Sequence, residues 1–185
     1  MRTSIVQDAE LAARAQAGDR EAFGELVTRY AAQARRVART ILGDPDDADD
    51  AAHDGFLAAL RFLGRYDPSR PFGPWLLRIV ANAATDRRRR RTVRRTEVLS
   101  PVAASHDAGP AQETDRRAFV TALERALAAL PERQRLAVVL FDVEGYSHRE
   151  IAQMLDVPEG TVRSDVFHAR RALRGKLTAW ADWKE

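Results

Sequence analysis

Tyr146-Ser147-His148-Arg149-Glu150-Ile151-Ala152-Gln153-Met154-Leu155-Asp156-Val157-Pro158-Glu159-Gly160-Thr161-Val162-Arg163-Ser164 reads as a helix, a tight turn and a second helix. Ser147 caps the first helix with Glu150 as its capping-box partner, and Ile151, Ala152 and Leu155 share the inner face. Asp156 sits where the chain leaves that helix, since Asp tolerates the left-handed conformation better than most residues other than Gly and Asn. Val157-Pro158-Glu159-Gly160 makes the turn, and the second helix begins at Thr161 with Val162 and Val166 on its buried side. Arg163, Ser164, Phe167, His168, Arg170, Arg171 and Arg174 occupy the rest of its surface, as expected of a helix that enters the DNA major groove. An ordinary helical hairpin with a solvated basic face is the plain alternative, and the cap and turn spacing favour the DNA-reading motif.

The rest of the chain is helical too. Its 185 residues have room for two small helical domains, and strand-forming runs are missing. The absence of Cys removes disulfides, Cys-ligated zinc and thiol chemistry, which fits a reducing compartment. No run of about 18 apolar residues exists to span a bilayer, and the N-terminal stretch carries acidic residues where a signal peptide would be apolar. A soluble cytoplasmic protein is expected.

Periodicity divides the chain. Residues 8–17 suit a short helix stopped by Gly18, and Asp19 caps a longer one to about Leu42 with a stripe of Phe23, Leu26, Val27, Tyr30, Ala34, Val37 and Ile41. Asp44-Pro45-Asp46 starts a third helix through about Leu63, with Ala52, Phe56, Ala59, Leu60 and Leu63 as its apolar set. A loop from Gly64 to Pro71 precedes a fourth helix, from about Pro74 through the arginines, with Trp75, Leu76, Ile79, Val80 and Ala83 along its apolar side. Residues 8–95 thus make a first domain. Residues 96–115, punctuated by Pro101, Gly109 and Pro110, read as a flexible linker that reaches at most about 65–70 Å. Residues 116–178 form a second domain, in which helices bearing Phe119, Leu123, Ala126, Leu127, Leu130, Leu136, Val139, Leu140 and Val143 support the helix-turn-helix.

The net charge of +3 conceals a segregation. Residues 1–60 hold 7 basic and 11 acidic side chains, residues 61–95 hold 11 and 2, residues 96–132 hold 3 and 6, and residues 133–185 hold 9 and 8. The block Arg87 to Arg95 and the second helix of the motif are the two places suited to phosphate.

Four pieces in this order resemble one family. They are Gly18-Asp19-Arg20-Glu21-Ala22-Phe23; Asp47-Ala48-Asp49-Asp50-Ala51 leading into Phe56-Leu57; Pro71-Phe72-Gly73-Pro74-Trp75-Leu76-Leu77-Arg78-Ile79 with Asn82 and Asp86; and the helix-turn-helix ending Gly160-Thr161-Val162-Arg163-Ser164. From about residue 8 to 178 the chain resembles bacterial RNA polymerase sigma factors of the extracytoplasmic-function group of the sigma-70 family. The resemblance implies an all-α protein whose partners are core RNA polymerase and promoter DNA. It implies promoter-specific initiation, with a stress or envelope-response regulon. Many relatives also have an anti-sigma factor that binds across the two domains.

The resemblance also assigns residues. Asp49, Asp50, His53, Asp54, Phe56, Leu57 and Leu60 would dock on the largest polymerase subunit. Six aspartates between residues 44 and 54 suit a basic partner, although some simply favour a helix N-terminus. Arg70, Phe72, Arg78, Asn82, Arg87, Arg88, Arg89, Arg90 and Arg91 would meet the melted minus-ten element, which needs a place for an unstacked base and cations for the backbone. Trp75 suits either the core or a stacking wedge. The arginine run also complements a helix C-terminus, but five in succession exceed what a cap requires. Arg149, Thr161, Arg163, Ser164, Phe167, His168, Arg171 and Arg174 would read the minus-thirty-five duplex. Relatives often carry Arg where this chain has Asp165 and His168, and Gly55 departs from the family pattern inside the third helix.

Two other classes compete. A stand-alone helix-turn-helix regulator would own the same motif but leaves residues 8–95 unexplained. A metal-dependent nuclease built on Asp44 to Asp54 and His53 needs converging ligands, whereas these fan out over a helix N-terminus. Neither catalysis nor a cofactor, a bound metal or a small-molecule ligand is expected.

Overall fold

The computed structural model describes residues 2–97 and 111–178, with side chains described for 7–92 and 117–178. Among these residues the chain is helical throughout, apart from loops and turns. Helices α1 (Arg2–Gln16), α2 (Arg20–Leu42), α3 (Pro45–Phe62) and α4 (Phe72–Glu97) form the first half, and α5 (Ala111–Ala128), α6 (Glu132–Val138), α7 (His148–Leu155) and α8 (Glu159–Lys176) the second. A 3₁₀ turn, Leu63–Arg65, follows α3, and a π turn, Val139–Val143, continues α6.

The helix ends follow local chemistry. Asp19 caps α2 by accepting from the backbone N–H groups of Glu21 and Ala22 at 3.0 and 3.1 Å. Asp44 caps α3 by accepting from Asp47 N–H at 3.0 Å, with Pro45 in the first turn. Gly43 closes α2 in the left-handed region, φ 76°, and its N–H donates to Arg39 O at 2.8 Å.

Leu26, Ala34, Val37, Ala38 and Ile41 of α2 pack with Ala48, Ala51, Ala52 and Ala59 of α3 and with Leu76, Leu77, Val80 and Ala84 of α4. Leu77, which the stripe expected for the fourth helix omits, is fully buried, while Leu60, placed in the apolar set of the third, is half exposed. Small residues let the helices come close. At Gly55 a Cβ would lie 2.7 Å from Val80 Cγ2 and 3.0 Å from Val80 Cα, so the glycine that departs from the family pattern is what lets α3 lie against α4.

Several expectations change. α1 extends N-terminally to Arg2, and α4 begins at Phe72 rather than Pro74. α4 runs to Glu97 and α5 starts at Ala111, so helix occupies both ends of the stretch read as linker; residues 98–110 lie outside the described residues. The second half keeps only a small core of its own. Leu136, Ala137, Leu140, Ile151, Ala152, Met154, Val162 and Val166 join the buried cluster of the first half, leaving Leu130, Val138, Val139 and Ala169 as a small separate one.

Polar contacts tie the halves together. Arg36 Nε and Nη2 donate to Glu144 Oε1 and Oε2 at 2.6 and 3.0 Å. Arg39 reaches Glu124 at 2.9 Å, Arg88 pairs with Glu132, and the Tyr146 hydroxyl donates to Gln33 Oε1 at 3.0 Å. Burial raises the Tyr146 phenol above its ordinary pKa and keeps it a neutral donor.

Candidate nucleic-acid interface

The capping box of α7 is complete. Ser147 Oγ accepts from Glu150 N–H at 3.3 Å, while Ser147 N–H donates to Glu150 Oε2 at 2.9 Å. Asp156 ends the helix at φ 56°, ψ 48°, the left-handed conformation expected of it. α8 then starts at Glu159, two residues before the expected Thr161, because Pro158 already supplies the extended residue before a first turn. Glu159 accepts from Arg163 Nη2 at 2.6 Å.

Val162, Asp165, Val166 and Ala169 form the buried stripe of α8. Arg163, Ser164, Phe167, His168, Arg171 and Arg174 are exposed, as is Arg149 on α7, and Thr161 is half-buried at the helix start. Phe167 is 62% exposed, an apolar ring presented to solvent among cations. Beside it lies an open groove of about 690 Å³, lined by Phe141, His148, Arg163, Val166, Phe167, Arg170, Arg171 and Arg174. The His148 ring stacks on Phe141 with centroids 4.3 Å apart, and the Arg170 guanidinium lies 5.0 Å from the Phe141 centroid. Arg170 Nε also donates to Asp142 at 2.9 Å, so this cation is anchored.

Asp165, where relatives often carry Arg, is buried at 4% exposure and accepts from Arg133 Nε at 2.6 Å. Together with Asp47 and Arg133, it is a residue the sequence reading missed as part of the site. Three-residue spacing from Val162 was the signal that pointed Asp165 inward.

In the first half the acidic and basic faces meet. Arg87 Nε lies 3.0 Å from Asp47, Nη2 2.6 Å from Asp50 and Nη1 3.9 Å from Asp54; Arg91 Nη1 lies 2.7 Å from Asp47. Asp47, Asp50 and Asp54 are three and four residues apart and so share one face of α3. Hydrogen bonding from Arg87 holds the Asp47 carboxyl below the usual carboxylate range. Arg89 sits 3.7 Å from Asp86, Asp49 sits 3.3 Å from Arg35, and Arg90 and Asn82 are exposed. These aspartates turn toward arginines, and among the described residues no group of three or more His, Cys, Asp or Glu comes together to hold a metal. His53 is exposed beside them, and Leu57, Leu60 and Phe62 give α3 an exposed apolar strip, whereas Phe56 is half-buried against the core.

Phe72 requires a correction. It is 2% exposed and packs against Tyr30, Tyr66 and Trp75 with centroids 5.6, 5.4 and 5.4 Å apart, so it cannot stack on an unpaired base in this arrangement. Trp75, half-buried in the same cluster, follows the core reading. Burial pushes the Tyr66 phenol up to about 12. Arg70, next to Phe72 in the loop, is exposed, with Nε 3.6 Å from Asp67. Arg78 is engaged between the halves: Nη1 donates to Gln153 O at 3.3 Å, and Nη2 lies 3.4 Å from Asp156.

The family described as Sigma-70 region 2 matches residues 26–94, and that described as Sigma-70, region 4 matches residues 121–173. The ECF RNA polymerase sigma factor SigM of Mycobacterium tuberculosis is 43% identical over 166 residues, covering 90% of this chain and 82% of that protein. The chain belongs to the ECF sigma factors of the sigma-70 family. The sigma factor CnrH of Cupriavidus metallidurans is 33% identical to it, over 93% of this chain and 95% of that one. The solved structure of CnrH in complex with the cytosolic domain of CnrY superimposes with a TM-score of 0.71 at 32% identity, covering 94% of this chain and 98% of that chain. The helix-turn-helix of this sigma factor falls inside the region 4 match, and the Asp47–Arg87 contact inside the region 2 match.

Proposed function

We propose that this sigma factor divides promoter recognition between its two halves, the first taking core polymerase and the melted minus-ten element, the second the minus-thirty-five duplex. It directs promoter-specific initiation, and a stress or envelope-response regulon follows from its group. The observation that carries the reading is one chain bearing, in order, an acidic α3 with an exposed apolar strip, an arginine-rich α4 and a basic reading helix α8. A stand-alone regulator would need only the last.

Asp49, Asp50, His53, Asp54, Leu57 and Leu60 present charge and apolar surface to the polymerase, with Phe56 buttressing them from inside. Arg70, Asn82 and Arg87 to Arg91 serve the single-stranded element, Asn82 as the base or backbone hydrogen-bonding group and the arginines as phosphate contacts. Arg163 and Ser164 read base edges, Phe167 meets a thymine methyl, and Arg149, Thr161, His168, Arg171 and Arg174 contact phosphate or bases further along. We assign residues 8–95 and 116–178 to these two functions, joined by residues 96–115.

The two element positions are about 25 base pairs apart, about 85 Å of duplex at about 3.4 Å per pair. Arg78 of α4 nevertheless sits 3.4 Å from Asp156 of the helix-turn-helix, so the packed arrangement and the promoter-bound one differ. The halves part on loading. A holding partner of the anti-sigma type acts on this same pair of halves, as CnrY's cytosolic domain accompanies CnrH.

The cytoplasm is where this activity operates, and no helix among the described residues is long and apolar enough to cross a membrane. Run-off transcription tests the proposal. Core polymerase with this chain should transcribe from a subset of a promoter library, and the chain alone should leave no footprint. A footprint without polymerase would support the stand-alone regulator.

A further inference from the structure

The inner stripe of the reading helix contains a charge. Of Val162, Asp165, Val166 and Ala169, three make non-directional apolar contacts and the fourth, Asp165, meets the fork of Arg133 on α6. Arg133 Nε lies 2.6 Å from Asp165 Oδ2 and Nη2 lies 3.4 Å from Oδ1, so both carboxylate oxygens are addressed. A buried carboxylate carries a desolvation penalty that its partner offsets only in part, and an apolar residue of similar volume is often as stable or more so. Net stability therefore does not account for Asp165. A planar guanidinium held against a carboxylate supplies direction, which the apolar neighbours lack.

We propose that Arg133 and Asp165 are a positioning pair that sets the roll of α8 about its axis, and so decides which of its outward side chains meets which base. The proposal rests on the reading of α8 as the minus-thirty-five reader. Asp165 immediately follows Arg163 and Ser164 and precedes Phe167 and His168, so the restraint acts at the level where bases would be touched. Side chains lie about 5–6 Å from a helix axis, so a roll of about 20° moves them about 2 Å, enough to break a base hydrogen bond. Arg170 with Asp142 restrains α8 further along, but there both partners are open to solvent, whereas the Asp165 carboxylate is buried.

The pair predicts a separation between folding and reading. In holoenzyme selections on a promoter library randomised at the upstream element, Asp165→Leu should melt at or above the wild-type temperature yet relax base preference at the Arg163 and Ser164 positions. The relaxation should be about fivefold, near the lower end of what one bidentate base contact confers. Arg133→Lys keeps the charge, loses the fork and changes only a partly exposed side chain; it should relax the same positions without a loss of overall fold. Arg163→Ala is the control. If Arg163→Ala relaxes selection while Arg133→Lys and a folded Asp165→Leu keep the wild-type profile, the positioning role is overturned. If Arg163→Ala also leaves the profile unchanged, the reading role of α8 falls, and the proposal with it. Should Asp165→Leu not fold, Arg133→Lys alone decides.

Discussion

Arg87 on α4 and Asp47 on α3 face one another at 3.0 Å, and Asp50 and Asp54 close around the same guanidinium. The acidic face proposed for polymerase and the basic stretch proposed for melted DNA are thus each other's counterions in this arrangement. Neutralising the acids should release the arginines. Asp47→Asn with Asp50→Asn should raise the affinity of the isolated sigma factor for single-stranded DNA and steepen its salt dependence, since about one more phosphate contact adds about one to the logarithmic slope. Filter binding at several salt concentrations measures this. Unaltered affinity and slope would mean that Arg87 and Arg91 do not serve DNA.

The same contact sets a pH dependence. Asp47 titrates below its ordinary value, chiefly because Arg87 donates to it. A depressed carboxyl contributes stability that is present above its unfolded pKa, about 3.9, and lost as the pH falls through the lower folded value. Thermal melts at pH 6 and stepwise toward pH 3 should therefore show a decline that Asp47→Asn reduces. An identical decline in the variant would assign the acid sensitivity elsewhere.

Arg36 and Glu144 are joined through both carboxylate oxygens, and the Glu144 side chain is only 2% exposed. If the halves part on loading, tethering them here should block initiation. Because the chain has no Cys, Arg36→Cys with Glu144→Cys can be linked selectively by a short bis-maleimide. The linked protein should lose run-off transcription, and the unlinked double variant should keep it. Full activity after complete linking would show that loading does not separate this contact.

Phe72 and Asn82 separate structure from function on α4. Truncating a buried aromatic typically costs about 3–5 kcal/mol, so Phe72→Ala should lower the unfolding midpoint severely. Asn82 is exposed, and Asn82→Ala should leave unfolding unchanged while impairing open-complex formation, read by permanganate reactivity of the melted region. Normal permanganate reactivity in Asn82→Ala would remove that residue from the melting site.

Gly55→Ala should destabilise the first half even though alanine is the better helix former. The Cβ would enter Val80, an overpacking cost of about 1–3 kcal/mol against a propensity gain of about 1 kcal/mol. Adding Val80→Ala removes the closer of the opposing atoms and should recover part of the loss. Chemical denaturation of the two variants tests this, and a neutral Gly55→Ala would mean that α3 and α4 shift apart freely.

Local chemistry made much of this protein legible in its residues. Asp19, Asp44 and the Ser147/Glu150 box mark helix starts, Gly43 and Asp156 mark ends, and the three- and four-residue spacing of Ala34, Val37 and Ile41 marks a buried stripe. Those signals act within a few residues along one helix, so they survive whatever the rest of the chain does. The helix-turn-helix, the arginine-rich helix and the family resemblance needed nothing more. Phe72, assigned to DNA through the resemblance, is buried because Tyr30 of α2, distant in sequence, packs onto the start of α4 and joins the more local contacts with Tyr66 and Trp75. Arg87 and Asp47 are 40 residues apart, and Arg36 and Glu144 are 108 apart. No periodicity within one helix encodes such pairs, because they depend on the angle and depth at which helices pack, which Gly55 against Val80 and the shared core together decide.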